Sequence, residues 1–413
     1  MNIIEQGRAF VQSLVSIASR TDWEWRRCPH CGSTVTSKWG SYKRRPWYLE
    51  GQREVAIPRH RCGDCGRTYS EERGQLRRRC WYAREVRRCA VDSWQHLGSS
   101  TRKVAEMLRS WLGKQERYRL WCVLGQEEAG AEPCRLSAST VERWLNDAGK
   151  KAKESVPGQL EGLGPVQAVA ADGLWARLRG GGKQVVLMLV DCGSGLILPP
   201  VVALGEESAR YWQGLFERAR SAGLELEELR GVTSDWAGGL VAYLRQDMSW
   251  LMHQRCLWHF WRNLREPLAR ACSGLAEAAA QQVRGELLAL LHGVLDASSY
   301  ELAEAALVQL GKHAQGADLA ALINEQFDHL LAHTLDYFRA LVRVAPEWYW
   351  RDYRQHLSHG RNHGSEPRLE RAALLWAIYH NFEPTQSDAV KCQEGGMRFW
   401  GWFEAATDRT CCR

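Results

Sequence analysis

Long apolar runs are missing from this sequence. None approaches the roughly 18 residues that a helix needs to cross a bilayer, which excludes a membrane-spanning helix. The opening stretch, MNIIEQGRAFVQSL, has no basic start, no continuous apolar segment and no small-residue cleavage site, so a secretory signal is not expected. Internal repeats are absent as well, which argues against a solenoid. An export signal would be needed to read the 14 cysteines as a disulfide framework; without one, thiols or metal ligands in a reducing compartment are expected. The expected location is therefore cytoplasmic, with no membrane partner.

What is present is an ordinary globular composition, 45% hydrophobic and 25% charged, over 413 residues, enough for two or three domains. Charge is uneven. Positions 1–150 hold 28 basic and 17 acidic residues, whereas the remainder is slightly acidic. A basic front on a mildly acidic back points to a polyanionic partner, nucleic acid first. An anionic membrane surface fits less well, because no helix with a clean Lys/Arg face opposite an apolar one is visible there.

Cys28-Pro-His-Cys31-Gly and Cys62-Gly-Asp-Cys65-Gly form two knuckles about 30 residues apart. Each places two thiolates on one tight turn, and four soft ligands in two such pairs suit a closed, tetrahedral Zn²⁺ site. His30 reads as a spacer. A zinc ribbon is expected over 21–75. Between the knuckles, Trp39, Lys43, Arg44, Arg45, Trp47 and Tyr48 mix base with aromatic, and Arg44 and Arg45 become candidate DNA-backbone contacts. Residues 77–150 read as helices. Ser99-Ser-Thr101 and Ser137-Ala-Ser-Thr140 have the form of helix starts, and the pair resembles a helix-turn-helix with an inserted loop. In that arrangement Ser139, Thr140 and Arg143 face the major groove. A plain helical spacer with Trp144 and Leu145 in its core is the other reading.

Beyond a linker at 158–166, apolar strands are expected at 166–171, 183–190, 196–204 and 229–234, with a helix over 209–224. The first ends at Asp172 and the fourth at Asp235, while Asp191-Cys-Gly-Ser-Gly195 reads as a hairpin turn. The order β-β-β-α-β-α is that of a ribonuclease-H-like mixed sheet, in which first and fourth strands are neighbours. Asp172 and Asp235 would then converge, and two carboxylates that close repel unless a hard cation such as Mg²⁺ neutralises them. The fold class expected is thus multidomain α/β: zinc ribbon, helix-turn-helix, then a ribonuclease-H-like core over 165–255. An all-helical insertion is expected over 256–345, closing helices over 346–383 and a tail over 384–413.

Met252-His-Gln-Arg-Cys256-Leu-Trp-His259-Phe-Trp-Arg262-Asn263 resembles the C(2)H stretch that follows the second aspartate in Mutator-type bacterial transposases. The resemblance covers roughly 165–385. It implies a DDE recombinase whose first two acids are Asp172 and Asp235, with a glutamate beyond a helical insertion. Counting back from the closing helix, which ends Tyr379-His-Asn381-Phe382, gives Glu347 behind Pro346; Glu366 and Glu370 remain alternatives. Two Mg²⁺ ions held by Asp172, Asp235 and Glu347 would serve hydrolysis and transesterification of phosphodiesters. Partners implied are double-stranded DNA, as element ends and target, and further copies of the chain in a dimer or larger assembly, nucleoid-associated. Cys256 and His259 share one helix face and are expected to pack together rather than bind metal; Arg262 is a candidate phosphate contact. Most of the 20 tryptophans are expected in the core. A catalytically inactive, domesticated transposase acting as a sequence-specific DNA-binding protein is the alternative function, and a structure-specific nuclease on the same core a weaker one. The tail loses periodicity and leaves open a disordered end or an altered reading frame.

Overall fold

In a computed structural model of the chain, the described residues are 27–70, 76, 80–124, 133–160, 165–178, 182–335, 349–351, 353–354 and 364–382. Glu347 and the tail lie outside them, as does most of the helix expected to open at 346. The chain divides into two units: Met1–Lys153 with Tyr353–Arg361, and Glu154–Asp352 with Asn362–Arg413.

In the first unit, β1 (Thr36–Arg44) pairs antiparallel with β4 (Val55–Cys62), which pairs with β5 (Thr68–Ser70). The β1–β4 register shifts between Lys38 and Ser41, where Gly40 takes φ +91°, a conformation that side chains disfavour. A two-strand hairpin, β2 (Trp47–Tyr48) and β3 (Gly51–Gln52), lies between them in sequence. Three helices follow: α1 (Arg84–Leu97), α2 (Thr101–Leu124) and α3 (Ala138–Glu154). Helix α1 stops at Gly98 in the left-handed region. Ser100 Oγ accepts from the Lys103 amide at 3.2 Å and Ser137 Oγ from the Thr140 amide at 3.2 Å, so serine caps open both α2 and α3. Val141, Trp144, Ala148 and Ala152 form the buried face of α3. Two helix carboxylates satisfy the hairpin's backbone: Leu49 N–H donates to Glu85 Oε1 at 2.8 Å and Gln52 N–H to the buried Glu116 Oε2 at 2.6 Å.

The second unit is built on a five-stranded sheet ordered β10-β9-β6-β7-β8. Strand β7 (Lys183–Asp191) pairs antiparallel with both β6 (Ala168–Arg177) and β8 (Val201–Leu204); β9 (Gly231–Ser234) runs parallel to β6, and β10 (Met252–Arg255) parallel to β9. Val185 to Val190 are fully buried, as a central strand covered on both faces requires. Helix α4 (Ala209–Ser221) buries Trp212, Leu215, Phe216 and Ala219; α5 (Gly238–Asp247) follows β9.

Three strand boundaries differ from the sequence reading. β6 does not end at Asp172 but continues to Arg177, because Asp172 and Gly173 stay paired with Met188 and Leu187 of β7. Only its pairing with β9 stops, at Ala171 opposite Ser234. β8 begins at 201 rather than 196, since Pro199 and Pro200 have no amide to donate to a ladder. β10 was not expected at all: Met-His-Gln-Arg lacks any apolar alternation, yet His253 and Gln254 are buried.

A helical body follows: α6 (Leu257–Ala271), α7 (Glu277–Leu295), α8 (Tyr300–Lys312), α9 (Ala317–Asn324) and α10 (Phe327–Leu331). It has its own core, with Phe260, Leu264 and Leu268 packed among Leu287, Leu291, Leu310, Ile323 and Leu330. Its tie to the sheet is polar. The fully buried Gln254 donates through Nε2 to Leu330 O at 2.8 Å and accepts from His333 N–H at 3.0 Å. The last helix, α11 (Glu366–Phe382), docks through Asn381, whose amide accepts from Ile197 N–H at 2.9 Å and donates to Ile197 O at 2.8 Å. Arg218 of α4 bonds Pro200 O at 2.7 Å and the buried Glu370 at 2.6 Å. Gln254→Leu removes its two hydrogen bonds to Leu330 and His333 and a third, from Nε2 to Arg255 O at 2.8 Å; stranding the Leu330 carbonyl and the His333 amide should cost about 2–6 kcal/mol, at about 1–3 per stranded group. Urea denaturation of the variant checks it.

Candidate functional site

Asp172 and Asp235 reach one place because β6 and β9 are parallel neighbours whose pairing ends one residue before each acid. Carboxylate oxygens of both, and a ring nitrogen of His259 from the first turn of α6, all lie within 4.8 Å of one another. Asp172 is buried; Asp235 and His259 are partly exposed, so the cluster opens to solvent on one side. Backbone amides orient both acids. Gly173 N–H donates to Asp172 Oδ1 at 2.8 Å and Ala237 N–H to Asp235 Oδ1 at 2.9 Å. The set of two carboxylates and an imidazole can hold a divalent cation, which would remove the repulsion between the acids.

The backbone just after Asp235 is unusual. Trp236 has φ +77°, where a side chain is strained, and it is alone in this among non-glycine described residues. Its ring packs against two histidines, stacked on His253 at 4.3 Å and tilted against His329 at 4.6 Å between centroids. His253 Nε2 bonds Ser234 Oγ at 2.7 Å, and the same oxygen accepts from Trp236 N–H at 3.2 Å. His329 Nδ1 lies 3.0 Å from the His253 carbonyl, a donor–acceptor distance. Asp235 is thus aimed by a chain of contacts that runs into the helical body.

Glu207, just ahead of α4, was not singled out by the sequence reading. A Cβ on Gly173 would lie 2.7 Å from its Oε1, and one on Gly239 only 1.7 Å from its backbone oxygen. Glycine after each aspartate therefore makes room for Glu207. Burial, and then the charge of Asp235, push the Glu207 carboxyl up to about 7, so it carries a proton part of the time at neutral pH. The sequence signal was faint: Asp172-Gly and Asp235-Trp-Ala-Gly-Gly mark close backbone approach, without naming what approaches.

The remaining expected site residues separate. His259 is brought to the acids, and Cys256 is buried at the start of α6, its amide bonded to Ser234 O at 2.6 Å. Glu370 is committed to Arg218, and among the described residues Glu366 is not grouped with Asp172 and Asp235. Asp191 caps its own turn, accepting from Gly193 and Ser194 amides at 3.0 and 2.9 Å. Arg262 is exposed, with its guanidinium 5.5 Å from the Trp258 ring centroid.

In the first unit the sulfurs of Cys28, Cys31, Cys62 and Cys65 also lie within 4.8 Å of one another, with Cys28–Cys65 and Cys31–Cys62 each at 3.6 Å. Amides point at the sulfurs. His30 N–H donates to Cys28 Sγ at 3.4 Å, and those of Cys65 and Asp64 pull the Cys62 thiol down to about 7. The group can hold one tetrahedral metal ion without His30. Ser139 and Thr140 hydroxyls bond Ser137 Oγ, each at 2.9 Å, and so take part in the cap of α3; Ser139 and Arg143 are exposed. Arg44 is drawn inward, donating to the Cys80 carbonyl and lying 5.9 Å from the Trp81 ring centroid; Arg45 is exposed.

The class this defines is an α/β protein with a mixed sheet, a helical body and, at the edge of a parallel strand pair, a carboxylate–imidazole cluster that could hold a metal ion. Residues 160–344, which include Asp172, Asp235 and His259, match the family model described as Transposase, Mutator family. The match, which spans somewhat less than half of the chain, supports a Mutator-type transposase. No curated protein matches the chain.

Burial, followed by the charges of His329 and Arg245, holds His253 down to about 3, against 6.5 for a free imidazole. The unfolded chain therefore takes up a proton below pH 6.5 that the folded chain refuses. Stability is fully present above pH 6.5 and falls as pH drops toward 3, by about 1.4 kcal/mol per unit within that window. Denaturation between pH 7 and 4 should show this loss, and His253→Gln should flatten it.

Proposed function

We propose that this chain is a DDE transposase that cleaves and joins DNA at the ends of a mobile element, by phosphodiester hydrolysis followed by transesterification. The observation that carries the reading is the convergence of Asp172, Asp235 and His259 inside the family-matched stretch. The strand order, with three antiparallel strands and then two parallel ones on the other side of β6, supports a ribonuclease-H-like core. Two carboxylates fit a hard cation such as Mg²⁺, and His259 adds a nitrogen donor that Mn²⁺ also accepts. Bound there, Mg²⁺ would stabilise negative charge on the phosphodiester oxygens.

The chain's own residues do the rest. The Gly173 and Ala237 amides fix how each aspartate presents itself, so little reorganisation is needed when a cation binds. Glu207 can hold a proton beside the acids. Glu347 is the third acid in this reading, with Glu366 the alternative. In the first unit the four cysteines hold structural Zn²⁺: zinc–sulfur bonds of about 2.3 Å imply tetrahedral edges of about 3.8 Å, close to the 3.6 Å separations present. Helix α3 would enter the major groove of DNA with Ser139, Thr140 and Arg143, and Arg45 would meet its backbone. Two element ends must be processed together, which calls for a dimer or larger assembly.

Asp172→Asn and Asp235→Asn should each bring Mg²⁺-dependent strand cleavage below detection while DNA binding survives; cleavage persisting in both variants would sink the reading. Glu347→Gln should do the same and Glu366→Gln should not. If none of these changes matters while binding stays tight, the chain is a DNA-binding protein without catalysis. Elemental analysis should find one zinc per chain. Cys62→Ser should lose it, with the ribbon unfolding, because apparent binding of structural zinc is worth about 10–16 kcal/mol of folding.

A further inference from the structure

Helices α6 and α7 enclose a groove of about 950 Å³ on the helical body. Its floor is apolar, with Leu264, Leu268 and Leu288, and its rim carries Arg262, Arg265 and Arg284. All three arginines are exposed, and among the described residues none is in an ion pair. Arg270, on the same helix but outside the groove, is paired with Glu266 at 2.6 Å. Against three guanidinium groups the groove has one acid, Glu277. Trp258 also lines it, half exposed, with Arg262 over its ring and the His259 ring edge-on at 4.8 Å between centroids. Leaving three like charges unneutralised around an open indole costs stability, which a polyanion would restore.

We propose that this groove binds a single DNA strand, with phosphates on Arg262, Arg265 and Arg284 and an unstacked base on the face of Trp258. The chemistry fits a nucleotide: planar guanidinium forks match phosphate oxygens, and an exposed indole stacks any base. Position fits as well. His259 of the acid cluster, Arg262 and Arg265 follow one another at three-residue steps along α6, so they rise by about 4.5 Å each on a line that winds gradually around the helix. A strand leaving the acids would pass Trp258 and run up that line. The proposal rests on reading the acids as a DNA-cleaving centre, because that reading is what brings a strand to the foot of the groove.

The test uses the full chain carrying Asp172→Asn, so that binding is read without cleavage, and a single-stranded oligonucleotide bearing one 5-iododeoxyuridine. Irradiation should cross-link the base to the peptide containing Trp258, and Trp258→Ala should remove that cross-link. The same variant should weaken binding of the strand about 5- to 150-fold, the equivalent of about 1–3 kcal/mol per stacked base. Trp258→Phe should keep most of the affinity. Each of Arg262→Ala, Arg265→Ala and Arg284→Ala should lower the slope of log K against log salt by about 0.7. Arg270→Ala, outside the groove, should leave it unchanged. Cross-links that map elsewhere, together with unaltered affinity and salt slope in the groove variants, would overturn the proposal. The outcomes separate cleanly. Persisting cleavage in Asp172→Asn and Asp235→Asn would refute the catalytic reading even if Trp258 cross-links, and a silent groove beside dead aspartate variants would refute only the groove.

Discussion

Two negative charges held close together are the constraint around which the second unit is built. Parallel pairing of β6 and β9 delivers Asp172 and Asp235 to one spot and then stops, so neither acid is tied into the ladder between those two strands, although Asp172 stays paired with β7. Repulsion between them would push the strand ends apart. Opposing it are a backbone amide on each acid and a tryptophan in a disfavoured conformation packed against two histidines. Local strain of this kind persists only where surrounding structure determines it several times over.

The surroundings here reach a long way. Ser234, Trp236, His253, His329 and Gln254 form a continuous polar and aromatic path from the acid cluster into the helical body. An apolar seam would have tolerated sliding between sheet and helices. A seam of buried hydrogen bonds does not, because each bond lost leaves an unsatisfied group out of water. The helical body is thereby registered against Asp235, and His259 and Trp258, at the start of its first helix, are registered with it.

Much of this arrangement could be read from the residues, and the rest fails for identifiable reasons. The four cysteines were legible because two Cys-x-x-Cys turns leave little freedom in what their sulfurs can share. The first and fourth apolar runs marked out Asp172 and Asp235, while Gly193 and Ser194 set Asp191 apart as a turn cap. Strand β10 was hidden: its buried members are His253 and Gln254, and a polar tetrapeptide has no periodicity to detect. Glu207 was hidden because it precedes a helix start, where acids are common, and only the folded sheet shows what Gly173 and Gly239 make way for. The place of His259 beside the acids was hidden because spacing tells which residues share a helix face but not what that face meets.

The clasp at Asn381 bears on how the chain is made. Its side chain closes both backbone groups of Ile197, across 184 positions of sequence, and Glu370 reaches back to Arg218 in the same way. During synthesis, the strands β6 to β10 and the whole helical body emerge before α11 exists. Until residue 381 has left the ribosome, Ile197 and Arg218 await their partners. The five-stranded sheet, complete by residue 255, must therefore wait for this last contact, with α11 acting as the final latch. Contacts that distant in sequence form late, and they set the pace at which a fold of this kind is completed.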